Sequence, residues 1–199
     1  MKPCIHQRRS TRLSGYDYSQ SGAYFVTVCT RNRENLFGDA RYGEMVLNNV
    51  GLIVKNQWDE IPNRFPSVCL DEREFMPNHI HGIILIVGAQ FIAPHKKIQL
   101  VGQIKTSKGA INRAPTLGEM IRSFKAITTR QIRLSAMEKF GWQRNYYEHI
   151  VRDEKSLLRI REYISTNPLR WEIDRENPRR KGEDEFDRWL ATFKTRPES

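Results

Sequence analysis

Two histidines separated by one residue are the most suggestive pair for chemistry in this sequence. His79 and His81 open the aliphatic run 79–87, which is typical of a buried strand. Residues two apart on a strand project from the same face, so both imidazoles can reach one point, as two ligands of a divalent metal must. Such pairs also occur as ordinary polar positions or incidental zinc sites, so the spacing alone does not decide.

A tyrosine on a later predicted helix is the second candidate. Acidic residues at 153–154 favour a helix start and Pro168 favours an end near Asn167. The predicted buried stripe of this helix is Leu157, Ile160 and Ile164. Tyr163 is predicted to lie off that stripe, on the polar side, with Arg159 and Asn167 one turn before and after it. It is either a rim residue or a group that faces a metal or phosphate.

Other side chains were weighed for the same chemistry. Tyr146 and Tyr147 are adjacent on the predicted strand 142–152, so only one can share the histidine face, and sheet packing or base stacking is favoured for both. Glu148 is a weaker candidate for an auxiliary metal or proton-accepting carboxylate. The other histidines, for which surface or structural roles are favoured, are His6, His95 and His149.

The net charge is concentrated in two segments. The 199 residues hold 33 Lys and Arg against 23 Asp and Glu, a net charge of +10 with a pI near 9.7. Residues 1–33 carry +5 and residues 101–144 carry +7. Two such segments are typical of a polyanion binder and favour nucleic acid over a membrane surface. Tyr16, Tyr18 and Trp142 could stack on unpaired bases.

Composition excludes several classes of protein. A hydrophobic content of 39% excludes wholesale disorder and fits one core. The aliphatic run 83–87 is far below the ~20 residues that span a bilayer, and residues 1–15 lack the apolar region of a secretory signal. Cys4, Cys29 and Cys69 are odd in number and far apart, which favours reduced thiols in a cytoplasmic protein.

Helices and strands are predicted to interleave. The predicted strands are 22–30, 67–75, 79–87 and 142–152, and the predicted helices are 44–60, 116–134, 153–167 and 185–193. Thr116 and Glu119 have the spacing of a capping box. The order predicts an α+β fold, a ferredoxin-like antiparallel sheet with helices on one face. The predicted organisation is a basic arm (1–22), a catalytic domain (23–172, with a surface insertion at about 88–115) and a charged tail with a short helix (173–199).

Several motifs together resemble a known family. The hexapeptide MPNHIH at 76–81 resembles the His-hydrophobic-His (HUH) motif of single-tyrosine transposases, and YISTNP at 163–168 resembles their tyrosine motif. The resemblance extends to segments 15–18, 23–30, 36–38, 124–130 and 142–147. The sequence therefore resembles the REP-associated tyrosine transposases and their insertion-sequence relatives from about residue 8 to 172, apart from the insertion.

The resemblance implies an HUH endonuclease fold and a metal-dependent single-stranded DNA endonuclease and strand transferase, transposase-like, that acts next to DNA hairpins. Tyr163 would be the nucleophile and would form a 5′-phosphotyrosine intermediate. His79 and His81 would hold a divalent metal, and Asn167 falls where relatives place a third, amide-type ligand. Mg²⁺ or Mn²⁺ is the implied cofactor, with Zn²⁺ in the isolated protein.

The implied partner is single-stranded DNA with a hairpin, bound by a monomer or homodimer at the nucleoid in the cytoplasm. The candidate DNA-contacting residues are Arg8, Arg9, Arg12, Tyr16, Tyr18, Arg122, Lys125, Arg130, Arg144 and Arg159. Two other functions compete with this hypothesis: a non-catalytic hairpin DNA- or RNA-binding regulator on the same fold, and an RNA-binding ferredoxin-like module. The histidine pair and Tyr163 favour the enzyme, because binding alone needs neither.

Overall fold

The structure, a computed structural model, describes residues 16–17, 19–86, 115–135 and 137–194. Its strands are β1 (Gly22–Cys29), β2 (Gly38–Arg41), β3 (Glu44–Leu47), β4 (Val68–Phe75), β5 (His79–Ile86) and β6 (Tyr147–Val151). Its α-helices are α1 (Asn49–Asp59), α2 (Ile61–Arg64), α3 (Leu117–Leu134), α4 (Glu154–Thr166) and α5 (Glu185–Lys194). Two short 3-10 turns are Arg31–Arg33 and Asn167–Arg170.

The main sheet has the order β4-β5-β1-β6 with antiparallel neighbours, and β2 and β3 form a separate hairpin. This is the ferredoxin-like arrangement, so the predicted α+β antiparallel class is confirmed. The central strands β1 and β5 are almost entirely buried, as their β-branched and aromatic content favours.

The helices cover both faces of the sheet. The sequence predicts helices on one face, and α4 and α5 depart from that prediction. One face, with Tyr24, Val26 and Ile80, packs against the two crossover helices α1 and α3. The opposite face, with Phe25 and Ile83, packs against α4 and α5. The added layer exists because α4 and α5 each bring an apolar stripe that must be buried.

The register of β5 on β1 sets the position of the histidines. Thr27 of β1 pairs with His81, and Cys29 pairs with His79. Since alternate residues share a face, both histidines project toward the α4 side of the sheet. Gly82 faces the other way, where the indole of Trp58 from α1 packs against its backbone. Because Gly82 has no side chain, the indole can approach the strand this closely.

Two predicted helix starts have different outcomes. The capping box at α3 is confirmed: the Glu119 amide donates to Thr116 Oγ1 at 3.2 Å, and the Thr116 amide donates to the Glu119 carboxylate at 2.7 Å. The predicted helix 44–60 begins later, at Asn49, because residues 44–47 pair with β2 and the Asn48 side chain caps the helix.

Some predictions concern residues outside the described ranges. They include the roles of Arg8, Arg9, Arg12 and Tyr18 and nearly all of the insertion at 88–115. Each helix in the described part of the chain is too short or too polar to cross a bilayer.

Candidate metal and nucleophile site

The two histidines of β5 form the floor of the site. His79 is 0% and His81 is 1% exposed, and their ring centroids lie 4.3 Å apart. One nitrogen of each ring is held by a neighbour: His79 Nδ1 lies 2.8 Å from Asn78 Oδ1, and His81 Nδ1 lies 2.9 Å from Thr27 Oγ1. The other nitrogen of each ring, Nε2, faces the carboxylate of Asp174.

A buried carboxylate completes the cluster. Asp174 Oδ2 lies 3.9 Å from His79 Nε2 and 3.7 Å from His81 Nε2. The possible ligand atoms of these three residues all lie within 4.8 Å of one another. Asp174 lies in the predicted charged tail and was not among the predicted site residues. No spacing relation to the histidines could have indicated it, because the chain returns to the site only after α4.

The cluster fits a divalent cation. Two imidazoles and a carboxylate are a common donor set for such ions. His79 Nε2 is buried and has no hydrogen-bond partner among the described residues. Burial, followed by the nearby His81 ring, lowers the pKa of His79 to about 3, so the ring is neutral at pH 7 and offers a lone pair. Burial favours protonated Asp174, but His79, His81 and Asn167 outweigh it and hold the pKa of this carboxyl well below its usual range.

Tyr163 reaches the same cluster from α4. Its hydroxyl lies 3.2 Å from His81 Nε2 and 3.3 Å from Asp174 Oδ2. Its ring stacks on Phe186 of α5, with centroids 3.7 Å apart and planes 7° from parallel. Burial, and then the Asp174 charge, raises the pKa of Tyr163 well above its ordinary value. The hydroxyl is therefore protonated at neutral pH.

The predicted surroundings of Tyr163 need correction. The residue is 2% exposed and belongs to the buried cluster, not to a polar side of the helix. Arg159 lies instead over the Trp189 ring at 4.8 Å and near Glu185 at 3.7 Å. The reason is that α5 packs on this side of α4, so a face that would be a rim on an uncovered helix becomes interior.

Asn167 also lies in the site, at the end of α4. Its amide nitrogen donates to Asp174 Oδ2 at 2.8 Å. Its oxygen Oδ1 is buried and has no hydrogen-bond partner within the described part of the chain. The structure therefore brings Asn167 to the carboxylate of the cluster, and its predicted role as a metal ligand stays a prediction.

Two proteins of Haemophilus influenzae are similar to this chain in sequence. An uncharacterized protein is 46% identical over 170 residues, which cover 85% of this chain and 93% of that protein. A second, with the provisional name of REP-associated tyrosine transposase, is 24% identical over 160 residues, covering 79% of this chain and 77% of that protein. Both similarities extend over most of this chain, and the second agrees with the family resemblance of the motifs at 76–81 and 163–168. No family model matches the sequence.

The fold of this chain is similar to that of a solved structure. A structure described as a REP-associated tyrosine transposase bound to a REP hairpin aligns with a TM-score of 0.51 at 18% identity. The alignment covers 80% of this chain and 74% of that one. At this identity the likeness concerns the fold, and it supports the HUH-type arrangement of sheet and helices.

The rival tyrosines lie on opposite sides of the sheet, as their adjacency predicts: Tyr147 begins β6, and Tyr146 directly precedes it. Tyr147 shares the face of the histidines and packs beside Phe25, with the Arg175 guanidinium 4.6 Å from its ring centroid. Tyr146 packs against the core on the other side of the sheet. The tyrosine hydroxyl that contacts His81 and Asp174 is that of Tyr163.

The candidate DNA contacts of this chain differ in their surroundings. Those with exposed side chains are Arg122, Arg130 and Arg144. Lys125 instead donates to two backbone carbonyls in the segment 143–145, at 2.9 and 3.0 Å, and burial lowers its pKa to about 8. The Tyr16 hydroxyl lies 3.4 Å from that of Tyr24. Their roles toward DNA stay predictions.

Proposed function

We propose that this chain is a metal-dependent single-stranded DNA endonuclease and strand transferase that acts beside DNA hairpins. The observation that supports it is the meeting of the Tyr163 hydroxyl with His81 and Asp174, at 3.2 and 3.3 Å, inside a buried cluster. A structural interior needs no such set of titratable groups, because burying them carries a free-energy cost that apolar side chains avoid.

His79, His81 and Asp174 would hold the cation, with Asn167 either joining them or orienting the Asp174 carboxylate. Mg²⁺ or Mn²⁺ is proposed for catalysis, with Zn²⁺ as an occupant of isolated protein. When bound, the ion supplies positive charge that polarises a phosphate oxygen and favours the ionised phenol.

The proposed reaction is a transesterification. The Tyr163 oxygen forms a bond to phosphorus while the bond from phosphorus to the 3′ oxygen breaks. The phenol gives up its proton, the departing 3′ oxygen gains one, and the 5′ end stays attached to Tyr163. The reverse step, in which a 3′ hydroxyl attacks the same phosphorus, rejoins a strand and releases the tyrosine.

The residues around Tyr163 prepare this step. Stacking on Phe186 fixes the plane of the ring, and the hydroxyl lies within hydrogen-bond distance of His81 Nε2 and of Asp174 Oδ2, to which it donates. The raised pKa of the hydroxyl means that the proton must leave before or during attack. Because Tyr163 is 2% exposed and Phe186 of α5 stacks on its ring, the scissile phosphate can reach it only when residues that cover it move aside.

The proposed ligand is a DNA hairpin with a single-stranded flank. The net charge of +10 favours a polyanion, and the exposed Arg122, Arg130 and Arg144 would contact phosphates. A solved relative with this fold is bound to a REP hairpin, which supports a hairpin as the ligand of this chain.

The test is covalent capture of DNA. The protein is incubated with Mn²⁺ and a labelled hairpin that carries a single-stranded flank, and adducts are separated on a denaturing gel. We expect an adduct that disappears in Tyr163→Phe, which keeps the ring stack, and persists in the matched Tyr147→Phe. Loss in Tyr147→Phe with retention in Tyr163→Phe would reverse the assignment. Hairpin binding without an adduct would support the non-catalytic regulator, and preference for RNA would support the RNA-binding module.

A further inference from the structure

Asn78 precedes the first histidine of the cluster and connects three segments of the chain. We propose that it is a positioning residue with two tasks. It holds His79 in the tautomer that leaves Nε2 without a hydrogen, and it anchors the segment that carries Asp174 to the histidine strand. The purpose of both tasks, metal binding, rests on the proposed function.

The hydrogen bonds of Asn78 determine the orientation of its amide. The side chain is 0% exposed. Its nitrogen donates to the carbonyl of Arg33 at 3.0 Å and to that of Glu176 at 2.8 Å. Carbonyl oxygens only accept, so both amide hydrogens are committed and the amide oxygen must face His79.

The tautomer of His79 follows from that orientation. Asn78 Oδ1 lies 2.8 Å from His79 Nδ1 and can only accept, so Nδ1 must carry the hydrogen. In the neutral ring, Nε2 is then a bare lone pair. It lies 3.9 Å from Asp174 Oδ2, too far for a hydrogen bond, and it has no other partner among the described residues. The lone pair is thus directed at the cluster.

The second task concerns the segment 174–176. The Glu176 amide donates to Asp174 Oδ1 at 2.6 Å, so the two residues move together. Asn78 holds the Glu176 carbonyl, while the Arg33 guanidinium holds the Glu176 carboxylate at 2.9 Å. Removing the Asn78 donor therefore loosens the segment that delivers the third ligand of the cluster.

Two variants separate the two tasks. Asn78→Asp keeps an acceptor for His79 but has no hydrogen for the Glu176 carbonyl, whereas Asn78→Ala lacks both. Asn177→Ala is the matched control, because the Asn177 side chain likewise donates to a backbone carbonyl, that of Trp171 at 2.8 Å. The hydrogen bond from Asn177 to the Asp174 carbonyl, at 3.0 Å, is made by the backbone amide, which alanine keeps.

The tautomer is read from ¹⁵N chemical shifts of the His79 ring in metal-free protein at pH 7.5. We expect hydrogen on Nδ1 in the wild type and in Asn78→Asp, and a mixture of tautomers in Asn78→Ala. Amide hydrogen exchange at residues 174–176 should be faster in both variants and unchanged in Asn177→Ala. Affinity for Co²⁺, followed by its absorption spectrum, should fall about 10- to 100-fold in Asn78→Ala.

Hydrogen on His79 Nε2 in the wild type would overturn the first task, and unchanged exchange at 174–176 in both variants would overturn the second. If Asn78→Ala fails to fold, the wild type and Asn78→Asp still decide both. None of these readouts uses DNA, so a protein that forms no DNA adduct but shows them would refute the nuclease proposal and leave this one intact.

Discussion

The strand that carries the histidines has a glycine, Gly82, where an indole packs against it, and adding a side chain there tests how the sheet is packed. Gly82 lies between His81 and Ile83 and faces α1. A Cβ at this position would lie 2.5 Å from Trp58 Cζ2, 3.2 Å from Cε2 and 3.3 Å from Cη2. The first distance is shorter than real Cβ contacts, so in Gly82→Ala the indole must move. It has little room, because it is 0% exposed and packs edge-on against Phe124 at 5.3 Å.

We expect Gly82→Ala to lower the free energy of unfolding by about 1–3 kcal/mol, the usual cost of overpacking a core. The measurement is urea denaturation followed by far-UV circular dichroism, with the midpoint and slope fitted together. Gly22→Ala is the matched control in the neighbouring strand. Its new Cβ would be 3.5 Å from the Tyr24 ring, an ordinary contact, so its stability should change little.

A double-mutant cycle with Trp58→Phe decides whether the indole is the obstacle. Phenylalanine is smaller than tryptophan, so the added methyl group should then fit. The double variant should be more stable than the sum of the two single losses predicts, by about 1 kcal/mol. If the losses add within about 0.5 kcal/mol, the reasoning is refuted. A loss in Gly82→Ala no larger than in Gly22→Ala would refute it as well.

Two further predictions concern acid stability and a turn. Burial, then Arg152, lowers the pKa of His149, which packs on Phe193, from about 6.5 unfolded to about 4. The contribution of neutral His149 to the free energy of unfolding is therefore complete above pH 6.5, and roughly 1–3 kcal/mol of it is lost as the pH falls toward 4. In urea titrations at several pH values, His149→Gln should show a weaker loss of stability with falling pH. An unchanged pH dependence would contradict the prediction. Tyr42 and Gly43, in the turn between β2 and β3, have φ of 54° and 81°. Asparagine adopts positive φ more readily than tyrosine, so Tyr42→Asn should raise the free energy of unfolding, measured by thermal denaturation, by about 0.5–1 kcal/mol. An equal gain in Tyr42→Phe would contradict this backbone explanation.

The sequence predicts those parts of the site that depend on local rules. Alternation along a strand places His79 and His81 on one face, and the proline after Asn167 marks the end of α4. Both signals lie within a few residues of the positions they concern. The family resemblance supplies what spacing cannot, namely that a tyrosine on a distant helix belongs with the histidines.

The remaining parts depend on contacts between segments far apart in the chain. Asp174 lies in a polar stretch with no periodicity. It reaches the cluster only because the chain after α4 passes back beside β5. The sequence predicts Tyr163 as a rim residue, because it lies outside the predicted apolar stripe of its own helix. Its burial is decided by Phe186, on a helix that begins 22 residues later. Residues 44–47 follow helical spacing, yet pairing with β2 makes them a strand.

Two of the buried polar atoms that lack a hydrogen-bond partner in the described part of the chain lie in the proposed site. His79 Nε2 and Asn167 Oδ1 are buried and have no hydrogen-bond partner among the described residues, and both belong to side chains that contact or face Asp174. Buried polar atoms without partners are rare in folded proteins, because each costs about 1–3 kcal/mol. Apolar residues in their place would be more stable, so stability alone does not account for this interior. A bound cation would satisfy the lone pairs and offset the cost, which is why the same atoms that weaken the apo fold support the proposed chemistry.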